Sequence, residues 1–245
     1  MILESSRDPG DLSNSWLVAD HDGGAAIVID PGAPPAPLLA AIARHRLTPT
    51  LLLATHHHGD HVAHAADYRA RFGCKLLAHK LEAAHLPDAD GRLQAGEALP
   101  AGTLSVRVLD TPGHTAGHLA FVVGDLVFTG DALFRGSVGG TVGPGGSFPQ
   151  LRRSVLDVLL SLPGATRVCP GHMEPTTIAD EDAGNPFVRA WRGLDPPAEQ
   201  PCTALGRPAT LLLRARDYDA GTKCWVRYAD SGELAVVPGS RVLAG

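Results

Sequence analysis

The segment Ala54-Thr55-His56-His57-His58-Gly59-Asp60-His61 places four histidines and an aspartate within eight residues, directly after the apolar run Leu51-Leu52-Leu53. A short apolar run that ends in a polar cluster reads as a buried strand delivering chemistry at its C-terminal end. Side chains two apart in extended chain point to the same side. His56 and His58 can therefore share a metal ion, while His57 faces away. Asp60 and His61 follow two and three residues later, where a turn into a helix aims them at a second ion. A single histidine at a strand end is ordinarily a packed or surface residue. Five imidazole and carboxylate groups crowded together would repel or stay unsatisfied unless a cation organised them.

Working outward, residues 14–20 and 25–30 read as two strands joined at the turn signal Asp22-Gly23-Gly24, an opening hairpin. After Asp30-Pro31-Gly32, residues 36–45 have helical composition, and residues 50–54 return as the buried strand that carries the cluster. Residues 61–72 are again helical, 76–79 form a short strand, and 104–110 alternate before Thr111-Pro112-Gly113-His114. Two strands follow at 119–123 and 126–129, with Gly124-Asp125 as the two-residue turn between them. Residues 148–162 carry apolar side chains at helical spacing, and a strand at 165–169 is closed by Pro170-Gly171-His172. Hairpins alternating with strand-helix-strand units predict an α/β fold in which two mixed sheets pack face to face with helices outside. Pro-rich sequence at Leu194-Asp195-Pro196-Pro197 starts a linker, and residues 209–217, 223–228 and 233–237 are three short β-like runs. We therefore expect a catalytic domain over residues 1–195, then a linker and small β-rich appendage over 196–245.

The strand-end chemistry recurs in Thr111-Pro112-Gly113-His114, in Phe128-Thr129-Gly130-Asp131 and in Pro170-Gly171-His172. Together these supply His56, His58 and His114 for one ion and Asp60, His61 and His172 for another, with Asp131 able to bridge through its two oxygens. Two ions ~3.5–4 Å apart lower the pKa of a bridging water to near neutrality and polarise a carbonyl oxygen. Asp60 and Asp131 are thus expected to serve catalysis as well as ligation. Zinc is the expected ion, and the same donors also accept iron and manganese.

His56-His57-His58-Gly59-Asp60-His61, with His114, Asp131 and His172, resembles the HxHxDH pattern of the metallo-β-lactamase superfamily over roughly residues 14 to 190. The resemblance implies an αββα sandwich with the metals at one edge between the sheets. Residues 111–118 (TPGHTAGH), 128–134 (FTGDALF) and Pro170-Gly171-His172 look most like the glyoxalase II, or hydroxyacylglutathione hydrolase, group and its persulfide dioxygenase relatives. That implies a thioesterase using a metal-bridged hydroxide, with a mononuclear iron dioxygenase built on two histidines and Asp131 as the alternative. It also implies that Asp30 hydrogen-bonds a ligand histidine and sets its orientation. The match has a gap at substrate recognition. Glyoxalase II proteins that bind glutathione well use Lys and Tyr residues after the bridging aspartate and a C-terminal helical domain, and neither is evident here. Compact relatives often carry an Arg and an Asp in the loop where Gly140 and Val142 stand.

The remaining histidines read as structural: His118 as packed and hydrogen-bonded, His64, His79 and His85 as surface or structural residues. The six glycines of residues 136–146 suit either a substrate cradle or a flexible loop. The appendage resembles a small SH3-type barrel in outline. Packing on the domain, a homodimer contact and shaping of the pocket mouth are the roles open to it.

The 245 residues carry a formal net charge of −5 and no long Lys/Arg run, which argues against nucleic-acid and membrane-surface partners and for a small thioester or ester substrate. The superfamily's nucleases generally carry a large inserted domain, for which this chain has no room. The appendage mixes Arg214, Arg216 and Arg227 with Asp217, Asp219 and Asp230. The N-terminal MILESSRDPGDLSNSW has no basic segment before an apolar core, and no apolar run nears the ~18 residues of a membrane span. A cytoplasmic location is expected. Four scattered cysteines without a CxxC pair read as ordinary buried thiols.

Overall fold

The computed structural model describes residues 1–245. Six strands form the first sheet in chain order: β1 (Ile2–Arg7), β2 (Asn14–Ala19), β3 (Ala25–Ile29), β4 (Thr48–Leu53), β5 (Lys75–His79) and β6 (Gly91–Leu93). The first three run antiparallel, and β3 to β6 are parallel. The parallel links need crossovers, supplied by α1 (Ala36–Arg44), then α2 (Gly59–Val62) with α3 (Ala65–Phe72), then α4 (Lys80–Ala83). The helical stretch expected at 61–72 is thus two helices, broken where Ala63 and His64 turn the chain.

Strands covered on both faces need unbroken apolar sequence, and Trp16-Leu17-Val18-Ala19 and Ala26-Ile27-Val28-Ile29 provide it. Leu17, Ala19, Ala26, Val28 and Leu52 pack outward under Leu38, Ala41 and Ile42 of α1 and Tyr68 of α3. Trp16, Val18, Ile27, Ile29 and Leu53 face inward.

The second sheet has the order β14-β13-β10-β9-β8-β7. Its members are β7 (Ala98–Ala101), β8 (Leu104–Asp110), β9 (Leu119–Val123), β10 (Leu126–Gly130), β13 (Arg167–Pro170) and β14 (Thr176–Thr177). Gly124, at φ +60°, makes the tight β9–β10 turn that a side chain would strain. Val106, Val108, Leu119, Phe121, Phe128 and Cys169 meet the inward face of the first sheet to form the inter-sheet core. Phe121 and Phe128 are fully buried, each contributing about 1.5–3 kcal/mol by removal from water. The Trp16 indole packs 6.2 Å from the Phe128 ring and donates to Pro170 O at 3.1 Å.

Cα packing divides the chain into two units. Met1–Asp110, Gly117–Gly130 and Cys169–Met173 form the first; Thr111–Ala116, Asp131–Val168 and Glu174–Gly245 form the second. The second unit contains the hairpin β11 (Leu133–Phe134) with β12 (Ser137–Val138), and α5 (Phe148–Arg153). The helical pattern of 148–162 is present, but only its first turns are α; Ser154–Val158 widens to a π turn and Leu159–Ser161 tightens to 3₁₀. α6 (Ile178–Gly184) and α7 (Pro186–Trp191) follow, their N-caps Thr177 and Asn185 each accepting backbone N–H bonds.

The unit ends in a five-stranded antiparallel sheet ordered β18-β17-β16-β15-β19. Its strands are β15 (Gln200–Ala204), β16 (Arg207–Arg216), β17 (Thr222–Tyr228), β18 (Leu234–Pro238) and β19 (Val242–Ala244). It has its own core of Cys202, Ala204, Leu211, Cys224, Val226, Val237 and Val242. Lys223 and Asp217 form a buried ion pair at 2.9 Å, and Ser137 of β12 donates to Asp217 Oδ1 at 3.2 Å. All four cysteines are free and buried, and burial pushes the Cys74, Cys202 and Cys224 thiols up, which suits apolar packing rather than reactivity. No helix is long and apolar enough to cross a membrane.

Candidate metal centre

The site is organised from beneath by Asp30, which follows β3 at φ +50° with its side chain buried. Asp30 Oδ1 accepts from Thr55 N at 2.7 Å, and Oδ2 accepts from Thr55 Oγ1 at 2.8 Å and His61 Nδ1 at 3.0 Å. Thr55 Oγ1 lies 3.0 Å from His56 Nδ1. Because that hydroxyl gives its proton to Asp30, it is left to accept from His56. One carboxylate therefore sets the ring orientation of two histidines, His61 directly and His56 through a hydroxyl. The orienting role implied for Asp30 is present in these bonds.

Local backbone explains the rest of the cluster. His58 is extended (φ −61°, ψ 143°), and α2 starts at Gly59, turning Asp60 and His61 back over the strand end. The turn sits so close to Gly32 that a Cβ there would lie 1.8 Å from Asp60 O. Ser13 Oγ also donates to Asp60 O, at 2.8 Å. His172 emerges from β13, where Gly171 N donates to Gly130 O at 2.9 Å and Ser13 bridges His172. Asp60 Oδ2 then lies 3.4 Å from His61 Nε2 and 3.5 Å from His172 Nε2.

His114 sits between β8 and β9, and Asp131 directly follows β10. His114 Nδ1 donates to Gly140 O at 2.9 Å, which turns Nε2 to within 3.6 Å of Asp131 Oδ2. Gly113, at φ +134°, touches α5 so closely that a Cβ would lie 2.1 Å from Leu151 N. His56 Nε2 and His58 Nδ1 are 3.1 Å apart, with ring centroids at 4.6 Å.

The first unit brings His56, His58, Asp60, His61 and His172 together, and the second sets His114 against Asp131. Ligand atoms of Asp60, His61 and His172 lie within 4.8 Å of one another. The donor set fits divalent ions: imidazole and carboxylate groups converge, while the outer nitrogens of His56, His61 and His114 are held by acceptors, the usual arrangement of metal-ligating histidines. The His/Asp cluster is suited to a dinuclear metal site. His56, His61 and His172 are buried, whereas the Asp60 side chain keeps 24% of its surface and His114 14%.

His57 turns away, as its position in extended chain requires, and is bound by Glu82. Glu82 accepts from the His57 backbone N–H at 3.0 Å, bonds its ring Nδ1, and accepts from Gly117 N at 2.7 Å. The His57 ring stacks on His85 at 4.4 Å. Sequence reasoning missed Glu82 and Thr55, since a lone Glu in Lys80-Leu81-Glu82-Ala83 and a Thr before three histidines carry no spacing signal. His118 is buried and stacks on His56 at 5.2 Å. His79 caps α4 by accepting from Leu81 N, and His64 meets Asp67 at the surface.

The family model of the metallo-β-lactamase superfamily matches residues 8–172. A hydroxyacylglutathione hydrolase from Rhodopseudomonas palustris (strain BisA53) is 39% identical over 164 residues, which are 64% of this chain and 61% of that enzyme. Among solved structures, ETHE1 from Myxococcus xanthus is 30% identical with a TM-score of 0.68, covering 81% of this chain and 93% of its own. TTHA1623, solved in a di-iron-bound form, is 37% identical with a TM-score of 0.64, covering 74% and 98%. With the two-sheet core and the converging ligands, the match places this chain in a known group: it belongs to the metallo-β-lactamase superfamily.

Proposed function

We propose that the chain is a metal-dependent hydrolase of thioesters or related acyl esters, with glyoxalase II-like chemistry. The observation that carries this reading is the triad Asp60-His61-His172 with the adjoining His56-His58 pair in one unit, and His114 facing Asp131 in the other. Two bound divalent ions would acidify a water and draw electron density from an acyl carbonyl. The chain's own part is preorganisation. Asp30 holds His61, and through Thr55 His56, with the proton on Nδ1, so that Nε2 is free to ligate. Asp60, the most exposed carboxylate of the set, is placed to hydrogen-bond the attacking water and hold its proton. Zinc is the ion we assign, with iron supported by the di-iron form of TTHA1623.

Likeness to a hydroxyacylglutathione hydrolase supports the thioester class, but the chain spans only 61% of that enzyme. Losing binding groups remote from the reacting bond weakens ground state and transition state together and so falls on KM rather than kcat. S-lactoylglutathione should therefore be hydrolysed with a raised KM, and smaller or differently charged thioesters as well or better. Likeness to ETHE1 supports a second reading, an iron persulfide dioxygenase built on two histidines and Asp131.

Elemental analysis of the purified protein, with steady-state kinetics over acyl chains and thiol carriers, decides between them. Thioester hydrolysis by zinc-loaded protein is expected. No hydrolysis with zinc or iron, together with thiol-dependent oxygen uptake by iron-loaded protein, would replace the hydrolase reading with the dioxygenase.

A further inference from the structure

Strand β18 is an edge of the C-terminal sheet, and an edge strand leaves N–H and C=O groups without a strand partner. At Val236 both are taken up by one residue of a distant loop. Thr141 N donates to Val236 O at 2.9 Å, and Val236 N donates to Thr141 Oγ1 at 2.9 Å. Thr141 is 7% exposed and Val236 fully buried, so water does not compete for these bonds.

The residue before Thr141 is Gly140, whose carbonyl receives His114 Nδ1 at 2.9 Å. The residue before that, Gly139, threads against both ligands of this unit: a Cβ there would lie 1.8 Å from Asp131 O and 3.2 Å from His114 Nδ1. On the far side, Gly146 abuts Thr141 O, and Ser147 N donates to Gly113 O at 2.8 Å, one residue from His114. The Phe148 ring stacks on Trp225 of β17 at 5.8 Å. Both ends of the glycine-rich loop are thus fixed by contacts that lead back to the C-terminal sheet.

We propose that Thr141, pinned by β18, is a positioning residue for His114, which makes the C-terminal sheet part of the apparatus that holds the metal. Through Gly140, the sheet sets where the carbonyl acceptor of His114 lies and hence where Nε2 points. A glycine-rich segment cannot hold that carbonyl by its own stiffness. The inference rests on the dinuclear reading of the centre.

The test uses the full-length chain with Thr141→Val, which keeps the shape and removes the acceptor, and Thr141→Ser, which restores it. Zinc affinity is read by competition with a chromophoric chelator, and ligand geometry by the visible spectrum of the cobalt(II)-substituted protein. Thr141→Val should weaken one of two bound ions about tenfold, the lower end of what loss of an orienting partner causes, leave the other within about twofold, and shift the cobalt bands. Thr141→Ser should return both readouts to wild type. Wild-type affinity and spectrum in Thr141→Val would overturn the proposal, as would equal losses in Thr141→Val and Thr141→Ser, the mark of packing alone. A wild-type chain that binds no metal would instead overturn the dinuclear reading, and this inference with it. If Thr141→Val does not fold, Val236→Pro replaces it, because proline is tolerated on an edge strand where the lost N–H faces outward, and the same losses are expected.

Discussion

Replacing Asp30 by Asn removes a charge and one acceptor while changing almost no volume. The backbone gives no reason for the change to hurt, since Asn tolerates φ +50° better than most residues. The side chain does. Oδ1 must accept from Thr55 N, so the new amide NH₂ falls where Oδ2 now accepts from Thr55 Oγ1 and His61 Nδ1. His61 can relieve the clash of donors only by moving its proton to Nε2, the atom that faces Asp60 at 3.4 Å. A protonated Nε2 cannot bind a metal. The Thr55 hydroxyl is likewise reversed and turns its proton on His56 Nδ1, which drives His56 to the same wrong tautomer. A single orienting partner is worth about 10–100-fold in metal affinity, about 1.4–2.8 kcal/mol at 1.4 kcal/mol per factor of ten. With two ligands misdirected, the upper end is expected. Chelator competition on Asp30→Asn should show a zinc affinity lower by about 100-fold for the weaker ion, with the far-ultraviolet circular dichroism of the metal-free protein unchanged. Affinities within about twofold of wild type in a folded variant would refute the reasoning that Asp30 sets the tautomers.

Gly139→Ala should abolish metal binding at the His114 side while leaving the inter-sheet core folded, because its Cβ would sit 1.8 Å from Asp131 O, a backbone atom that cannot yield cheaply; zinc stoichiometry falling from two towards one checks it. Lys223→Met should lower unfolding free energy by about 3–5 kcal/mol by stranding the Asp217 carboxylate, and adding Asp217→Asn should recover most of the loss in chemical denaturation. Asp131→Ala should damage kcat far more than His118→Ala, since Asp131 faces the expected ligand His114 at 3.6 Å whereas His118 stacks on His56; comparable losses, with metal content intact, would move His118 into the catalytic machinery.

The ligands were legible because each sits where an apolar run stops, at His56, His114, Asp131 and His172, and burial of both strand faces makes those runs conspicuous. The strands that escaped notice lie at sheet edges or are short: β1, β6 and β7 have mixed sequences such as Ile2-Leu3-Glu4-Ser5, because an edge strand need bury only part of its surface. The paired helices α6 and α7 escaped because Asn185-Pro186 reads as a turn, whereas here it caps one helix and opens the next. In the appendage three runs were visible, but β15 and β19, carrying Pro201 and the exposed Leu243, give no alternation to read. The site's support was the least legible part. Thr55 and Glu82 act through contacts made across 25 residues of chain each, to Asp30 and His57, and no local pattern encodes a partner at that distance.

Glu82 has a consequence for the life history of the protein. Its one buried carboxylate gathers the His57 backbone, the His57 ring and the backbone of Gly117, and so laces the histidine turn to the segment leading into β9 without using any ligand atom. With Asp30 doing the same beneath His56 and His61, the cradle is shaped by the polypeptide itself. In small zinc domains, by contrast, the free energy of capture is the free energy of folding. Here those internal bonds hold the receptacle's shape, so the metal-free chain is expected to stay folded while one ion is exchanged for another.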